Sequence, residues 1–542
     1  MLEEGKGKSF IKGAAILTAA GLLAKVMGFA YRVILTRIIE PEGMGLYQIA
    51  YPVYTTLLVI SRSGIPIALA KLIAEKISLG ERKAAFRIFK VGRNLAFVVG
   101  LFFSILMAVL AKPLTILFNW GPEAFYPILA ISPAIFFVSI MATYRGFFQG
   151  LQDMVPTGLS QIIEQFVRMI TMISLAFLLV SKSIGLAAAG ATFGAVTGSI
   201  AGLLTLIFIY YKRRKNIWSF VRDDKMPSSI GNTREVIREI AVLAIPITIG
   251  ALVQPLMNLV DTVIVPMRLK AGSIPGNPMA LFGEFTAVAM TLVNFPTIIT
   301  TSLAVSLVPS ISEAFALKKS SLIKNRTQTG LRLTVLISLP AAVGLYCLAE
   351  PLTTVIFAVP TAAKILRVAA WGVLFIGLQG TSAAILNGIG KTRIPALNLF
   401  IGAIFNAILN YTLTANPMFG IRGAAFATVI GFAIAAFLNI FYVKKFTQFT
   451  INFRTLILKP IFAVLVMGIV VVEGFRVSHY LFSFITRYHY TAATFFAVFI
   501  GFLSYFLILL LIKEIKYNDI IVIPKIGRKT AELLKKIGLV RE

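Results

Sequence analysis

The stretch FIKGAAILTAAGLLAKVMGFAYRVILT, residues 10–36, sets the class of the fold. It exceeds the roughly 20 apolar residues that carry an α-helix across a bilayer, and it holds Lys25 and Arg32 well inside its length. Thr18, Lys25 and Arg32 recur every seven residues and so share one helix face. A charged side chain near the bilayer centre costs about 3 kcal/mol even on lenient insertion scales, so such residues usually face an interior path rather than lipid. The next apolar stretch, 44–77, adds Arg62 directly before SGIP at 63–66. There Gly64 and Pro66 should interrupt the hydrogen-bond ladder, making a hinge that frees backbone groups toward a cavity. Three cations held inside a membrane call for an anionic cargo. The competing explanations are snorkelling to an interface or structural ion pairing.

Outward from these two stretches the pattern repeats. Helices are predicted near 10–36, 44–77, 88–111, 123–147, 157–181, 185–211 and 236–265, then near 281–312, 328–349, 361–387, 395–414, 421–443, 456–475 and 491–512. The chain therefore reads as an all-α integral membrane protein with about fourteen transmembrane helices. Composition agrees: 58% of its 542 residues are hydrophobic and 14% charged, where a soluble chain carries about 25%. Mean hydropathy is +0.87. A net charge of +30 does not indicate nucleic acid here, because most Lys and Arg sit in short loops between apolar stretches. Cys347, the only cysteine, lies in an apolar run, which excludes an internal disulfide and offers no cysteine chemistry. The first stretch is too long for a leader's apolar core and is expected to be retained.

With both termini cytoplasmic, most of the 52 Lys and Arg fall inside, among them Arg82, Lys83, Lys212 to Lys215, Lys318, Lys319, Lys444 and Lys445. That is the positive-inside asymmetry. The polar interruption after Lys212, with Asp223, Asp224, Pro227 and Gly231, divides the chain. The expected organisation is a first lobe at 1–215, a cytoplasmic linker at 216–233, a second lobe at 234–446, two further helices within 447–514, and a cytoplasmic tail at 515–542. The lobes look related. FFQGLQDMVP (147–156) and ILNGIGKTRIP (385–395) each close one stretch with an amide and Gly and open the next with Pro. GLAAAGAT (185–192) and GIRGAAFAT (420–428) follow at the same offset of about 235 residues. Two pseudo-symmetric six-helix lobes would then hold the cargo between them.

Two polar stripes are expected to line the same space: Gln161, Glu164, Gln165 and Arg168 on 157–181, and Gln254, Asn258 and Asp261 on 236–265. For Glu164 and Arg168 the alternative is an internal i,i+4 salt pair. No cofactor is called for. Membrane potential, worth about 2.3 kcal/mol per charge per 100 mV, would favour outward movement of an anion, or Asp261 or Glu164 would couple to H⁺ or Na⁺. NGIGKT (387–392) is not a phosphate loop, because Ile385 stands where the first Gly belongs. His479 and His489 fall in an outer loop without clustered acids or Cys, so no metal site is expected. Residues 524–542 alternate Ile526, Leu533, Leu534 and Ile537 with basic residues. They read as an amphipathic helix on anionic lipids rather than a nucleic-acid element. No catalytic constellation is visible, so the chain is not expected to be an enzyme.

AKVMGFAYRVILTRIIEPEGMGLYQIA (24–50), SGIPIALAKLIAE (63–75) and YRGFFQGLQDMVP (144–156) resemble the stage V sporulation protein B branch of the polysaccharide-transporter flippases. That branch is similar to the MurJ (MviN) lipid II flippases and lies in the multidrug/oligosaccharidyl-lipid/polysaccharide exporter superfamily. The resemblance implies two six-helix lobes around a central cavity, alternating access, and two C-terminal helices forming a groove for a polyprenyl tail. It implies a monomer in the bacterial plasma membrane. It also implies that Lys25, Arg32, Arg62 and Arg145 hold the diphosphate of a lipid-linked peptidoglycan precursor. Where those relatives commonly carry Arg, this chain has Lys25, a point charge without a bidentate grip. Another polyprenyl-linked polysaccharide, or a cation-coupled drug, remains as alternative cargo.

Overall fold

In the first unit, helix α1 (Leu2–Arg62) runs through both leading stretches with a break at Glu40, where φ is 57°. The computed structural model describes residues 2–214, 232–450, 454–484, 488–514 and 532, with side chains from 19 onward except that of Thr455. Apart from Glu532, the expected amphipathic tail lies outside these residues, as does nearly all of the expected linker. Every regular element described is helical.

Glu40 and Pro41 account for the break: the positive φ is strained for a side-chain-bearing residue, and proline lacks the N–H that would continue the ladder. Among the described residues, twelve helices are long and apolar enough to span a membrane, and a pair bent by 43° at Pro360–Ala369 and Gly372–Gly388 makes thirteen. The first of them covers 60 residues, Ala19–Ser78. As a straight helix that would measure roughly 90 Å against about 30 Å of hydrocarbon. Counted as two crossings, it brings the total to the fourteen expected, and the chain is a multi-pass membrane protein.

The first unit spans Met1–Gly283. After α1 come α2 (Gly64–Ser78), α3 (Arg82–Leu117), α4 (Phe125–Ile131), α5 (Pro133–Gly150), α6 (Val155–Leu179), α7 (Ile184–Lys212), α8 (Thr233–Ala271) and α9 (Pro278–Gly283). Helix α8, read from the sequence as the start of the second lobe, packs within this unit on α1, α2 and α3. Helix α7 carries glycine at 190, 194, 198 and 202, every fourth residue, and lays that stripe along α6. A Cβ at Gly198 would lie 2.7 Å from the Glu164 carbonyl and 2.9 Å from the Arg168 Cβ. Bare backbone on α7 is what lets α6 sit this close. Gly198→Val should therefore overpack the hairpin and cost about 1–3 kcal/mol. Thermal unfolding of the purified protein in detergent measures this, and an unchanged Tm would show that α6 and α7 are not in register at Gly198.

The second unit spans Glu284–Glu542. It opens with a π-helical segment, Glu284–Ala289. Then come α10 (Met290–Ala316), α11 (Ser320–Cys347), α12 (Ala349–Leu352), α13 (Ala363–Ala369), α14 (Gly372–Gly388), α15 (Arg393–Leu413), α16 (Ile421–Thr447), α17 (Lys459–Ser483) and α18 (His489–Leu511). Helices α17 and α18 pair with each other. They are tied to α11 by a hydrogen bond from Tyr505 Oη to the Leu336 carbonyl at 3.1 Å. A buried ion cluster adds to the tie: Glu514, 3% exposed, meets Lys459 at 3.0 Å and Arg332 at 3.4 Å.

The turns that suggested a repeat share one geometry. After α5, Gln152 takes φ 60° and Asp153 N–H bonds the Phe148 carbonyl. After α14, Gly390 takes φ 78° and Lys391 N–H bonds the Leu386 carbonyl. Each is a left-handed helix cap with a 6→1 bond. The hairpins that follow differ in chemistry: α6 buries Glu164 and Arg168, whereas α15 buries Asn398, Asn406 and Asn410.

Candidate functional site

Arg62 is the last residue of α1, and the helix breaks immediately after it, at Ser63. Ser63 N–H still bonds the Val59 carbonyl at 3.0 Å. Gly64 N–H leaves the ladder and donates to Thr248 Oγ1 of α8 at 3.1 Å. Pro66 has no N–H to offer the Arg62 carbonyl. Glycine is required at 64, since any Cβ there would overlap the Ala244 carbonyl of α8. On the other side, a Cβ at Gly146 of α5 would lie 2.7 Å from the Pro66 carbonyl. The break is thus clasped between α5 and α8, and the residue before Gly146 is Arg145.

Arg145 donates from Nη2 to Glu164 Oε2 at 2.9 Å and from Nε to Ser160 Oγ at 3.1 Å. Arg168 donates from Nη2 to Glu164 Oε1 at 2.9 Å and from Nη1 to Tyr51 Oη at 3.2 Å. One carboxylate therefore serves two guanidiniums, one oxygen each. The i,i+4 pair of Glu164 with Arg168 exists, and Arg145 extends it across helices.

Tyr51 lies between Tyr47, stacked at 5.3 Å, and Tyr54, edge-on at 5.6 Å. Half-buried Arg32 sits within electrostatic reach of Tyr31, Tyr47 and Tyr51. Half-buried Arg62 sits within reach of Tyr54, Arg145, Glu164 and Arg168. Arg62 makes no ion pair with any described residue. Four arginines against one glutamate leave this cluster at net +3, within membrane-spanning helices.

The other expected residues lie apart from the ion pairs. Lys25 is exposed, two turns before Arg32 on α1. Gln161 is half-buried where α6 faces Gly21. Gln254 and Asn258 bond each other at 3.2 Å on an exposed face of α8, with half-buried Asp261 one turn beyond. Sequence reasoning missed Tyr47, Tyr51 and Tyr54, although their 4,3 spacing on one face was a readable signal. It also missed Glu284, buried in the π-helical segment and accepting a hydrogen bond from Thr361 Oγ1 at 2.5 Å. The histidines require a correction: His479 lies in α17 and His489 opens α18, with ring centroids 4.9 Å apart. Apolar helix continued further toward the connection than the hydropathy window showed. Among the described residues, no group of three or more His, Cys, Asp or Glu could hold a metal.

A family model described as "Polysaccharide biosynthesis protein" matches residues 10–315, and one described as "MatE" matches 246–412. The chain is 30% identical over 527 residues to "Stage V sporulation protein B" of Bacillus subtilis (strain 168), covering 96% of this chain and 99% of that one. It is 25% identical over 492 residues to "Lipid II flippase MurJ" of the same organism, covering 86% and 90%. A solved structure, "Lipid II flippase MurJ, inward closed conformation", superimposes with a TM-score of 0.68 at 18% identity, over 94% of this chain and all of that one. That last likeness is one of fold.

Proposed function

Because the chain belongs to the polysaccharide biosynthesis protein family and is similar to a lipid II flippase along most of its length, we propose that it is a flippase for a polyprenyl-diphosphate-linked peptidoglycan precursor. It carries the precursor from the inner to the outer leaflet by alternating access. The observation that supports this reading is the net +3 arginine cluster of α1, α5 and α6. A diphosphate brings the charge the cluster lacks, and the glycan needs a polar path while the prenyl chain stays in lipid. Arg62, with its guanidinium unspent, makes the first contact, and Arg32 and Arg145 complete the grip. Lys25 stands at the approach. Gln161, Gln254, Asn258 and Asp261 contact the glycan or coupling ions, and the clasped break at Gly64 and Pro66 serves as hinge. The prenyl tail lies along α17 and α18, whose lipid-facing sides expose Phe462, Leu465, Ile469, Phe495, Phe499 and Phe502. A drug cation is disfavoured by a site with four arginines and one acid. Rescue of a bacterium depleted of its own lipid II flippase tests the cargo. Growth restored by this chain supports the reading, and lysis despite normal membrane levels rejects a lipid II-like cargo in favour of another lipid-linked polysaccharide.

The Lys and Arg asymmetry supports cytoplasmic termini and a cytoplasmic loop around residues 212–225. In a Cys347→Ser background, a single cysteine at Tyr488 should react with an impermeant maleimide in intact cells, and one at Ser228 should not. Labelling at Ser228 would invert the topology.

A further inference from the structure

Glu164 is the single acid among the arginines, and the way it is held has a consequence for the cargo. Its side chain is 9% exposed, and both its oxygens are occupied, by Arg145 from α5 and Arg168 from its own helix. The groups that face it are Arg62, Tyr51 and Tyr54 from α1, Arg145 from α5 and Arg168 from α6, with Arg32 beyond Tyr51. Helix α7 lays Gly198 and Gly202 against Glu164. Donors outnumber acceptors: Arg168 Nε and the Tyr47 hydroxyl, both buried, have no hydrogen-bond acceptor. A carboxylate spanning two guanidiniums has the oxygen spacing and charge that one phosphate of a diphosphate would bring.

We infer that Glu164 occupies the seat of the cargo's anion. This rests on the diphosphate cargo proposed above. When cargo enters, phosphate oxygens take the Nη2 hydrogens of Arg145 and Arg168. Glu164 then loses its hydrogen bonds to both guanidiniums and lies, nearly buried, beside new negative charge, two conditions that favour the neutral acid. It takes one proton from a buffer acid or hydronium, whose bond to that hydrogen breaks as the carboxyl O–H forms, and returns it to solvent when the cargo leaves and the arginines close back. Proton uptake is thereby tied to cargo binding. Without cargo, the Glu164 carboxylate keeps the seat filled, so that other anions must compete with it.

The probe is farnesyl diphosphate, titrated calorimetrically into the full-length protein in detergent at pH 7.5 in two buffers of different ionisation enthalpy. Glu164→Gln should bind at least tenfold tighter than wild type, because the seat is no longer held by a charge. Wild type should take up as much as about one proton more per ligand than the variant, a difference from which the ligand's own ionisation cancels. Equal proton numbers, or a variant that binds no tighter, would overturn the exchange. Should the variant not fold, wild type alone decides: its affinity must rise as pH falls from 8 to 7, against the trend set by protonation of the ligand, and a falling affinity overturns the proposal. If wild type binds no farnesyl diphosphate at all, the diphosphate reading fails and the exchange falls with it.

Discussion

Arg62→Ala is expected to reduce flipping about thirty- to a hundredfold while leaving membrane levels near wild type. The size follows from losing one charge-assisted contact to phosphate in a nearly dry site, worth about 2–3 kcal/mol. The sparing of stability follows from the structure, because Arg62 pairs with no acid among the described residues and its removal orphans none. Arg62→Glu should be worse still, since it repels the phosphates. Arg32→Ala should resemble Arg62→Ala. Lys25→Arg should keep activity, because Lys25 is exposed and the change keeps its positive charge. Quantitative blotting beside the transport assay separates loss of flipping from loss of protein. Wild-type rates for Arg62→Ala and Arg32→Ala would make these cations structural.

Removing residues 456–542 should leave an inserted core that does not flip cargo at all, since α17 and α18 are proposed to hold the prenyl tail. The deletion takes Glu514 and Lys459 away from buried Arg332. An uncompensated buried cation costs about 3–5 kcal/mol, so the truncation is best made with Arg332→Met. Monodisperse behaviour with no flipping supports the groove. Full activity without α17 and α18 refutes it.

Much of the fold was legible because hydrocarbon imposes length and apolarity on each crossing, and fourteen stretches showed both. The break after Arg62 was also legible, since Pro66 removes a donor beside Gly64, whereas the break at Glu40 and Pro41 showed only as the gap between the stretches 10–36 and 44–77. Register between helices was not. Arg145 and Glu164 are 19 residues apart on different helices, and nothing in either helix alone shows that they meet. The meeting depends on the Gly198 and Gly202 notches of α7 behind α6 and on Gly146 against Pro66, contacts that only packing reveals. The sequence stripe on 236–265 suggested polar residues converging with those of 157–181. In the structure the amides of Gln254 and Asn258 bond each other on an exposed face of α8, and α8 meets the break through Thr248. The π-helical segment at Glu284 was hidden as well, because a one-residue change in ladder spacing leaves hydropathy unaltered.

The arginine cluster is proposed to carry a polyprenyl diphosphate across the membrane. The most direct measurement is flipping of a fluorescent polyprenyl-diphosphate glycan in vesicles, scored by loss of signal to an impermeant quencher and compared with the same glycan on an uncharged polyprenol. Vesicles with wild-type protein should flip the diphosphate lipid far faster than protein-free vesicles, leave the uncharged lipid at background, and lose the gain with Arg62→Ala. Equal flipping of the charged and uncharged lipids by both proteins would contradict the account.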